Sequence, residues 1–233
     1  MKICVYSDVH SNLEALQNLR ETADYKSADL RIFLGDIVAV CPYPNECIKT
    51  ILDSGDVWLM GNHDCYYAFG LPQEELPYFM GDKKKHQRHI KRTIKKEYER
   101  VFMSLPKSYR LKVGKKTLYF VHFPWENQRL VCDQPEEYNA EVLDNLFKDV
   151  DADYIFFGHE HKSLCLKTDR ATYICVNALG VRHPGRYIMV DVDKNHFSYE
   201  EKQIDYDLDR LKKEILKADY PWAEEYTRYF IED

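Results

Sequence analysis

The first sixty residues alternate short apolar runs with helix-periodic segments, and this alternation restricts the fold more than any other feature. Apolar runs at 2–7, 30–34 and 56–60 have the length of buried strands. Between them, apolar residues recur at helical spacing over 13–23 and 47–52. Strand–helix–strand–helix–strand is typical of a parallel sheet whose faces are covered by helices. The sequence therefore predicts an α/β fold.

The pattern changes after Tyr66, where a proline-containing loop leads into a strongly charged segment. Apolar spacing predicts one helix in this segment, over residues 83–103. We interpret residues 66–106 as a small helical insertion, called the lid, that covers the site. No repeat or low-complexity linker divides the chain, so residues 1–233 are expected to form a single domain.

The second half of the sequence predicts further strands and a closing helix. The predicted elements are a hairpin over 110–113 and 117–122, a helix over 139–147, a strand over 154–157, antiparallel strands over 163–168, 171–176, 185–192 and 196–202, and a helix over 207–217. Residues 205–233 hold that helix and an aromatic segment, together called the tail. Its large aromatic residues lie close to helical spacing: Trp222, Tyr226, Tyr229 and Phe230. Packing on the domain and a dimer contact both stay open for them, as does the oligomeric state.

Composition restricts the class of protein. No run of about 18 apolar residues occurs, so the sequence predicts no membrane-spanning helix. Met1 leads directly into a strand-like segment without a signal peptide's apolar stretch, and the seven cysteines form no C-x-x-C pair. We therefore expect a cytoplasmic protein with reduced thiols. The net charge of −6 argues against nucleic-acid binding over the whole surface but allows a local basic patch.

Five short polar motifs follow or end the apolar runs. They are Asp8-Val9-His10, Gly35-Asp36, Gly61-Asn62-His63-Asp64, Val121-His122 and Gly158-His159-Glu160-His161. The carboxyl ends of neighbouring strands in an α/β sheet open into one crevice, so loops that are distant in sequence meet there. We therefore expect the Asp, Asn and His side chains to form one cluster.

These residue types suit a pair of divalent metal ions, because imidazole and carboxylate both bind Mn, Fe, Ni or Zn. The candidate ligands Asp8 and His10 are two residues apart, as are His159 and His161. In an extended loop such side chains point the same way, and Asp36 could bridge two ions. Glycines in the motifs would allow close backbone approach without a Cβ clash: Gly35, Gly61 and Gly158.

The series of motifs resembles the calcineurin-like metallophosphoesterase superfamily, with its D-x-H, G-D, G-N-H-[DE], H and G-H-x-H blocks. Within it, residues 3–191 are similar to small bacterial and archaeal phosphoesterases with compact lids. The resemblance implies a four-layer α-β-β-α sandwich with two metal ions. It also implies the ligands: Asp8, His10 and His161 for one ion, Asn62, His122 and His159 for the other, and Asp36 as the bridge.

The same resemblance implies a mechanism. His63 would be the general acid for the leaving oxygen, and Asp64 would orient its imidazole. Two ions about 3.5–4 Å apart can clamp the attacking and leaving oxygens of an in-line displacement, and a water between them loses a proton near neutral pH. Mn²⁺ is the expected cofactor, while Fe, Ni, Zn and Mg are also compatible with these ligands.

Three further residues are candidate substrate contacts: Asn12, Phe123 and Arg182. Phe123 directly follows the His122 motif, and a core-packing role is equally compatible with its position. Arg182 lies in a loop expected near the mouth of the site, where it would contact phosphate. Relatives usually have N-P-G-S where this chain has residues 177–180, so contacts at that point are not carried over.

The charged helix of the lid carries a basic run: Lys83, Lys84, Lys85, Arg88, Lys91, Arg92, Lys95 and Lys96. Apolar residues repeat every four positions from Ile90 to Phe102, so one stripe should pack inward and the basic residues should face out. Such a run is usually a solvated helix face. Beside a phosphoesterase site it could instead steer polyphosphates, nucleotides or nucleic-acid ends.

Two functions from different classes fit these motifs. The first is a metal-dependent phosphodiesterase or phosphomonoesterase that acts on a small phosphorylated molecule or a nucleotide. The second is a catalytically silent interaction module that keeps the fold, as in a retromer subunit that lacks the catalytic histidine of the G-N-H block. The presence of His63 and of seven competent ligand positions favours the enzyme.

Overall fold

The computed structural model describes the chain apart from residues 72–76, 127–128, 131–134, 136, 219, 222 and 230–233. For residues 77–83, 129–130 and 228–229 it describes the backbone. Part of the lid loop, Cys132, the Lys83 side chain, and Trp222 and Phe230 of the tail therefore lie outside the described residues.

Twelve strands occur in the described part of the chain. They are β1 (Lys2–Tyr6), β2 (Leu30–Phe33), β3 (Val57–Trp58), β4 (Ser108–Val113), β5 (Lys116–Val121), β6 (Trp125–Glu126), β7 (Arg129–Leu130), β8 (Tyr154–Phe157), β9 (Leu164–Lys167), β10 (Thr172–Cys175), β11 (Gly185–Val192) and β12 (Phe197–Ile204). The predicted strands and hairpin agree with these bounds to within two residues.

The helices of the described residues alternate with the strands mainly in the first half. They are α1 (Leu13–Glu21), α2 (Ala23–Ser27), α3 (Pro44–Ser54), α4 (Asn62–Phe69), α5 (Pro77–Thr93), α6 (Glu99–Ser104), α7 (Ala140–Leu146), α8 (Leu208–Lys217) and α9 (Ala223–Tyr229), with a 3₁₀ turn at Lys96–Tyr98. No helix among the described residues is both long and apolar enough to cross a membrane.

The described strands form two five-stranded sheets and a small hairpin of β6 and β7. The first sheet has the order β12–β11–β1–β2–β3, with β1 parallel to β2 and antiparallel to β11. The second has the order β4–β5–β8–β10–β9, with β8 parallel to both β5 and β10. Each sheet therefore has a parallel centre, and the carboxyl ends of β1, β2, β5 and β8 are free to carry the polar motifs.

Three apolar cores join these sheets and helices into four layers. The core between the sheets contains Ile3 and Val5 of β1, and Phe120 and Phe156 of the second sheet, whose rings stack at 4.9 Å. The outer face of the first sheet packs on α1, α3 and α8, and that of the second packs on α7 through Leu143. Each fully buried side chain of this kind contributes roughly 1.5–3 kcal/mol. The predicted α-β-β-α sandwich is confirmed.

The four strands predicted to be antiparallel, β9 to β12, divide between the two sheets. β9 and β10 are antiparallel neighbours, as are β11 and β12, in agreement with the prediction. However, β10 also pairs parallel with β8, so the region is not a continuous antiparallel unit. Between β10 and β11 the chain crosses from one sheet to the other, and Ala178 forms an isolated bridge with Ser7 at the crossing.

The prediction of one continuous lid helix is wrong. The chain breaks at Lys95, which is extended, and α6 starts after a 3₁₀ turn. Asn45 of α3 stabilises the break, because its side chain donates to the Thr93 carbonyl at 2.8 Å and accepts from the Lys95 N–H at 2.9 Å. The apolar stripe is nevertheless buried at Ile90, Ile94 and Phe102, with exposed fractions of 3%, 4% and 0%.

Candidate metal centre

The loop that follows β1 has a left-handed backbone at both candidate ligands. Asp8 has φ 55° and His10 has φ 47°, so the expected extended loop is wrong. The Asp8 N–H donates to the Gly35 carbonyl and the His10 N–H to the Asp36 carbonyl, each at 3.0 Å. Left-handed backbone costs about 1–2 kcal/mol for an ordinary residue. These cross-loop hydrogen bonds to the segment after β2 hold both side chains in that conformation.

The loop after β8 repeats this arrangement. His159 has φ 73° and His161 has φ 51°, and the His159 N–H donates to Asp8 Oδ2 at 3.1 Å. A Cβ added at Gly158 would lie 2.1 Å from Ser7 Oγ, a distance that real Cβ atoms do not show. The loops after β1 and β8 therefore touch at a point where only glycine fits, as the motif predicted.

The first cluster of donor atoms joins Asp8, His10 and His161. The Nε2 atoms of the two histidines lie 3.1 Å apart, and His161 Nε2 lies 3.1 Å from Asp8 Oδ1. His10 Nε2 lies 3.6 Å from the same oxygen. Two ring nitrogens and a carboxylate oxygen thus point at a common position, which is the donor set of a divalent metal site.

The second cluster is built around Asn62. Its Oδ1 atom lies 3.1 Å from His122 Nε2 and 2.8 Å from His159 Nδ1. Asp36 connects this cluster to the first, because its Oδ2 lies 3.4 Å from His122 Nε2 and 3.9 Å from His10 Nε2. All seven predicted ligands therefore come together, with Asp36 between the two groups.

The buried carboxylates of the cluster attract positive charge. Burial alone would raise the pKa of Asp36, but the neighbouring His122 and His63 lower it well below its usual range. Burial would likewise lower the pKa of His122, but Asp36 and Asp8 raise it to about 9. Burial and the charge of His122 lower the pKa of His159 to about 3. In the metal-free protein the proton on His122 thus lies beside the ionised Asp8 and Asp36. A divalent cation would take the place of that proton, because a histidine ligand must be neutral.

Asp64 has different partners from those expected of it. Its carboxylate accepts the backbone N–H groups of Asp36 at 2.9 Å, Ile37 at 3.1 Å and Gly61 at 3.1 Å. It therefore fixes the loop after β2 to the first turn of α4, and the expectation that it orients the His63 ring is wrong. Burial, with the nearby Asp36 charge, raises its pKa to about 6. Asp64 therefore positions the loop that carries Asp36.

His63 lies at the edge of the cluster, on the first turn of α4. Its backbone N–H donates to Asp36 Oδ1 at 2.8 Å, and its ring centroid is 5.3 Å from that of His10. The ring is half-buried, whereas Asp8 and Asp36 are 0% and 1% exposed. Loss of solvent lowers the pKa of His63 to about 4, so the ring is neutral at pH 7 in the substrate-free protein.

Two of the three candidate substrate contacts are structural. Asn12 is fully buried, caps α1 by accepting from the Ala15 N–H at 3.1 Å, and donates to the Gly180 carbonyl at 2.8 Å. Phe123 is fully buried, and its ring packs 4.7 Å from that of His159. Both side chains therefore support the cluster from inside, and the expectation of substrate contact is wrong for them.

Arg182 stays a candidate for phosphate contact. It lies in the loop between β10 and β11, and its carbonyl accepts a hydrogen bond from the Tyr206 hydroxyl at 2.7 Å. The Nε2 atom of the neighbouring His183 lies 2.7 Å from Asp205 Oδ1.

Sequence reasoning missed two residues beside the cluster. His86 of α5 is 6% exposed, and its ring lies 5.4 Å from that of His63. Tyr220 of the tail forms a hydrogen bond with His86 Nε2. Neither residue belongs to a strand-end motif, and they lie 134 positions apart. Only the fold brings them together.

Comparisons with known proteins relate the chain to a family. The family model described as calcineurin-like phosphoesterase matches residues 1–163. Uncharacterized protein MJ0912 of Methanocaldococcus jannaschii is 28% identical over 236 residues, which cover 94% of this chain and 93% of that protein.

Solved structures share the fold over almost the whole chain. The hypothetical protein PH1004 of Pyrococcus horikoshii has a TM-score of 0.78 at 19% identity and covers 98% of this chain and 97% of its own. A metallophosphoesterase from Sphaerobacter thermophilus has a TM-score of 0.73 at 21% identity, with coverage of 99% and 98%. At these identities the similarity concerns the fold.

The shifted pKa of His122 predicts how the stability of the metal-free protein depends on pH. Its folded-state pKa of about 9 lies above the ordinary value of 6.5, so the protonated ring stabilises the fold fully below pH 6.5. This contribution, about 3 kcal/mol at most, is lost as the pH rises through 9. The free energy of unfolding, measured by urea titration in the presence of a chelator from pH 6.5 to above pH 9, tests this prediction.

The free energy of unfolding should depend less on pH in His122→Asn, and its pH dependence should be unchanged in the exposed control His196→Asn. A wild-type free energy of unfolding that does not change over this range would contradict the assignment of charge in the cluster.

Proposed function

The chain belongs to the calcineurin-like phosphoesterase family, and on this basis we propose that it is a phosphoesterase dependent on two divalent metal ions. The substrate is a small phosphorylated molecule or a nucleotide, with a phosphodiester or phosphomonoester bond. The single observation that carries the proposal is the position of Asp36, whose carboxylate lies between two separate clusters of nitrogen and oxygen donors.

The proposed ligands form two groups, which are the two clusters of donor atoms described above. Asp8, His10 and His161 hold one ion, Asn62, His122 and His159 hold the other, and Asp36 bridges them. When bound, two such ions supply Lewis acidity and activate water for in-line attack on phosphorus. The imidazole-rich set suits first-row transition ions, and Mn²⁺ is our proposed cofactor.

His63 is proposed as the general acid. Its half-buried ring stands at the rim of the donor cluster, where a leaving group can reach it. An anionic phosphate beside the ring favours the protonated imidazole, which offsets the low pKa of the substrate-free state. As the P–O bond breaks, the ring gives its proton to the leaving oxygen, and water later restores that proton. Such proton transfer typically contributes about 10²–10⁴-fold in rate.

The lid supports an anionic substrate. Lys84, Lys91, Arg92 and Lys95 are exposed on α5 and just beyond it, while His86 of the same helix faces the site. The whole chain carries a net charge of −6, so this basic face is a local exception. A positive field beside the site raises the encounter rate with polyanions such as nucleotides or nucleic-acid ends.

The alternative function is a catalytically silent module that keeps this fold. It predicts a protein that folds and binds partners without turnover. The buried ionised carboxylates and the retained His63 favour catalysis over this alternative, because a silent module has no need to keep either.

The proposed function predicts hydrolysis of bis-p-nitrophenyl phosphate or p-nitrophenyl phosphate that requires Mn²⁺ and is abolished by chelation. His63→Ala should lower kcat for an ester with a poor leaving group, such as phenyl phosphate, by about 10²–10⁴-fold and by less for the p-nitrophenyl esters. Its metal content should be unchanged because His63 is not a proposed ligand. The exposed His196→Ala is the matched control and should keep full activity. No metal-dependent turnover over a broad panel of phosphate esters would favour the silent module.

The basic face of the lid predicts a substrate-dependent charge effect. Changing Lys91, Arg92 and Lys95 together to Glu should lower kcat/KM for a dinucleotide by roughly tenfold at low salt, and less at high salt. The small substrate p-nitrophenyl phosphate should be affected less. The control changes three exposed lysines on other faces to Glu: Lys112, Lys115 and Lys148. An unchanged kcat/KM at low salt would end the steering hypothesis.

A further inference from the structure

The lid and the tail meet directly above His63. His86 of α5 has its ring 5.4 Å from that of His63 and 5.3 Å from that of Tyr220. Both His86 and Tyr220 are 6% exposed, and Tyr226 of α9 adds a third ring 6.2 Å from His86. The general acid candidate is therefore in contact with a layer formed by two segments outside the family motifs.

One hydroxyl joins this layer to the metal cluster. Tyr220 Oη accepts the Val40 N–H at 2.8 Å and also forms a hydrogen bond with His86 Nε2. Val40 lies in the loop after β2 that carries Asp36, and its backbone is left-handed with φ 68°. The same loop contacts His10, whose Nδ1 lies 3.2 Å from the Val38 carbonyl. Tyr220 thus connects the lid with the loop that carries Asp36 and contacts His10.

The hydrogen bond with Tyr220 fixes the orientation of the His86 ring. Burial lowers the pKa of His86 to about 2, so its ring is neutral. Tyr220 Oη accepts from the Val40 N–H and keeps a second lone pair and its own proton, so it can donate to His86 Nε2 or accept from it. Either hydrogen bond ties the same edge of the ring to Tyr220. His86 is therefore held in one orientation beside His63.

We propose that His86, held by Tyr220, is a positioning residue for the His63 imidazole and sets the orientation from which His63 gives its proton to the leaving oxygen. This inference rests on the proposed function of the same site. Proton transfer requires the donor within hydrogen-bond reach of the leaving oxygen, and a displacement of about 1 Å can cost 10²-fold. The lid and the tail would then contribute to catalysis through the position of His63.

Leaving-group dependence separates this role from simple packing. A poor leaving group such as phenol needs the proton, whereas p-nitrophenol leaves readily without it. We compare kcat/KM for the phenyl and p-nitrophenyl esters of the same phosphate series with Mn²⁺. Tyr220→Phe removes only the hydroxyl, and His86→Leu removes the ring nitrogens. Each should lose roughly tenfold more activity on the phenyl ester than on the p-nitrophenyl ester.

Three further variants calibrate the measurement. His63→Ala should show the same selectivity to a greater degree, and His86→Gln, which can still form a hydrogen bond with Tyr220, should restore part of the loss. Tyr187→Phe is the matched control, because Tyr187 is 3% exposed and its hydroxyl donates to Asp24, away from the site. Its ratio between the two esters should equal that of the wild type.

The possible results have distinct meanings. Equal losses on both esters, or no loss, in Tyr220→Phe and His86→Leu would overturn the inference while leaving the proposed function intact. A wild type that hydrolyses neither ester would contradict the proposed function, and the inference with it. Metal content and thermal unfolding of each variant show that the selectivity does not come from a lost metal site or a lost fold.

Discussion

Two ionised carboxylates buried at the carboxyl ends of β1 and β2 are the constraint on which the rest of the site depends. Asp8 and Asp36 are 0% and 1% exposed, and burying an unpaired charge is far more costly than any single packing contact. The surrounding loops supply what these charges require. Backbone N–H groups, four imidazoles and one amide converge on them, and their nitrogen and oxygen donors fit divalent cations.

Meeting this constraint requires strained backbone and close loop contacts. Five of the seven proposed ligands have left-handed φ values: Asp8, His10, Asp36, His159 and His161. At about 1–2 kcal/mol each, this strain is a large share of the stability of a single domain. Glycine permits the close approach, since a Cβ at Gly61 would lie 2.1 Å from Asp36 Oδ1. The cores of the sandwich offset this cost, and binding of the proposed metal ions would add stability because the folded state alone presents the site.

The α/β pattern and the meeting of the polar motifs could be predicted from the sequence because both follow from local rules. The four-layer sandwich and the division of the proposed ligands between two ions were implied by the family resemblance. Apolar runs define strands, and a polar motif at a strand end lies at the sheet's open edge. Tertiary contacts determine the features that the sequence did not predict. Asn45 ends the lid helix, and Asp64 binds backbone instead of the His63 ring. His86 meets Tyr220 only after the chain has folded, so no spacing pattern could reveal that contact.

The central claim is that these donors hold two metal ions bridged by Asp36. Anomalous scattering from crystals grown with Mn²⁺ tests it most directly, because each ion gives its own peak. The account predicts two peaks about 3.5–4 Å apart. One should be coordinated by Asp8, His10 and His161, the other by Asn62, His122 and His159, and both by Asp36. A single peak, or peaks that these side chains do not coordinate, would contradict it.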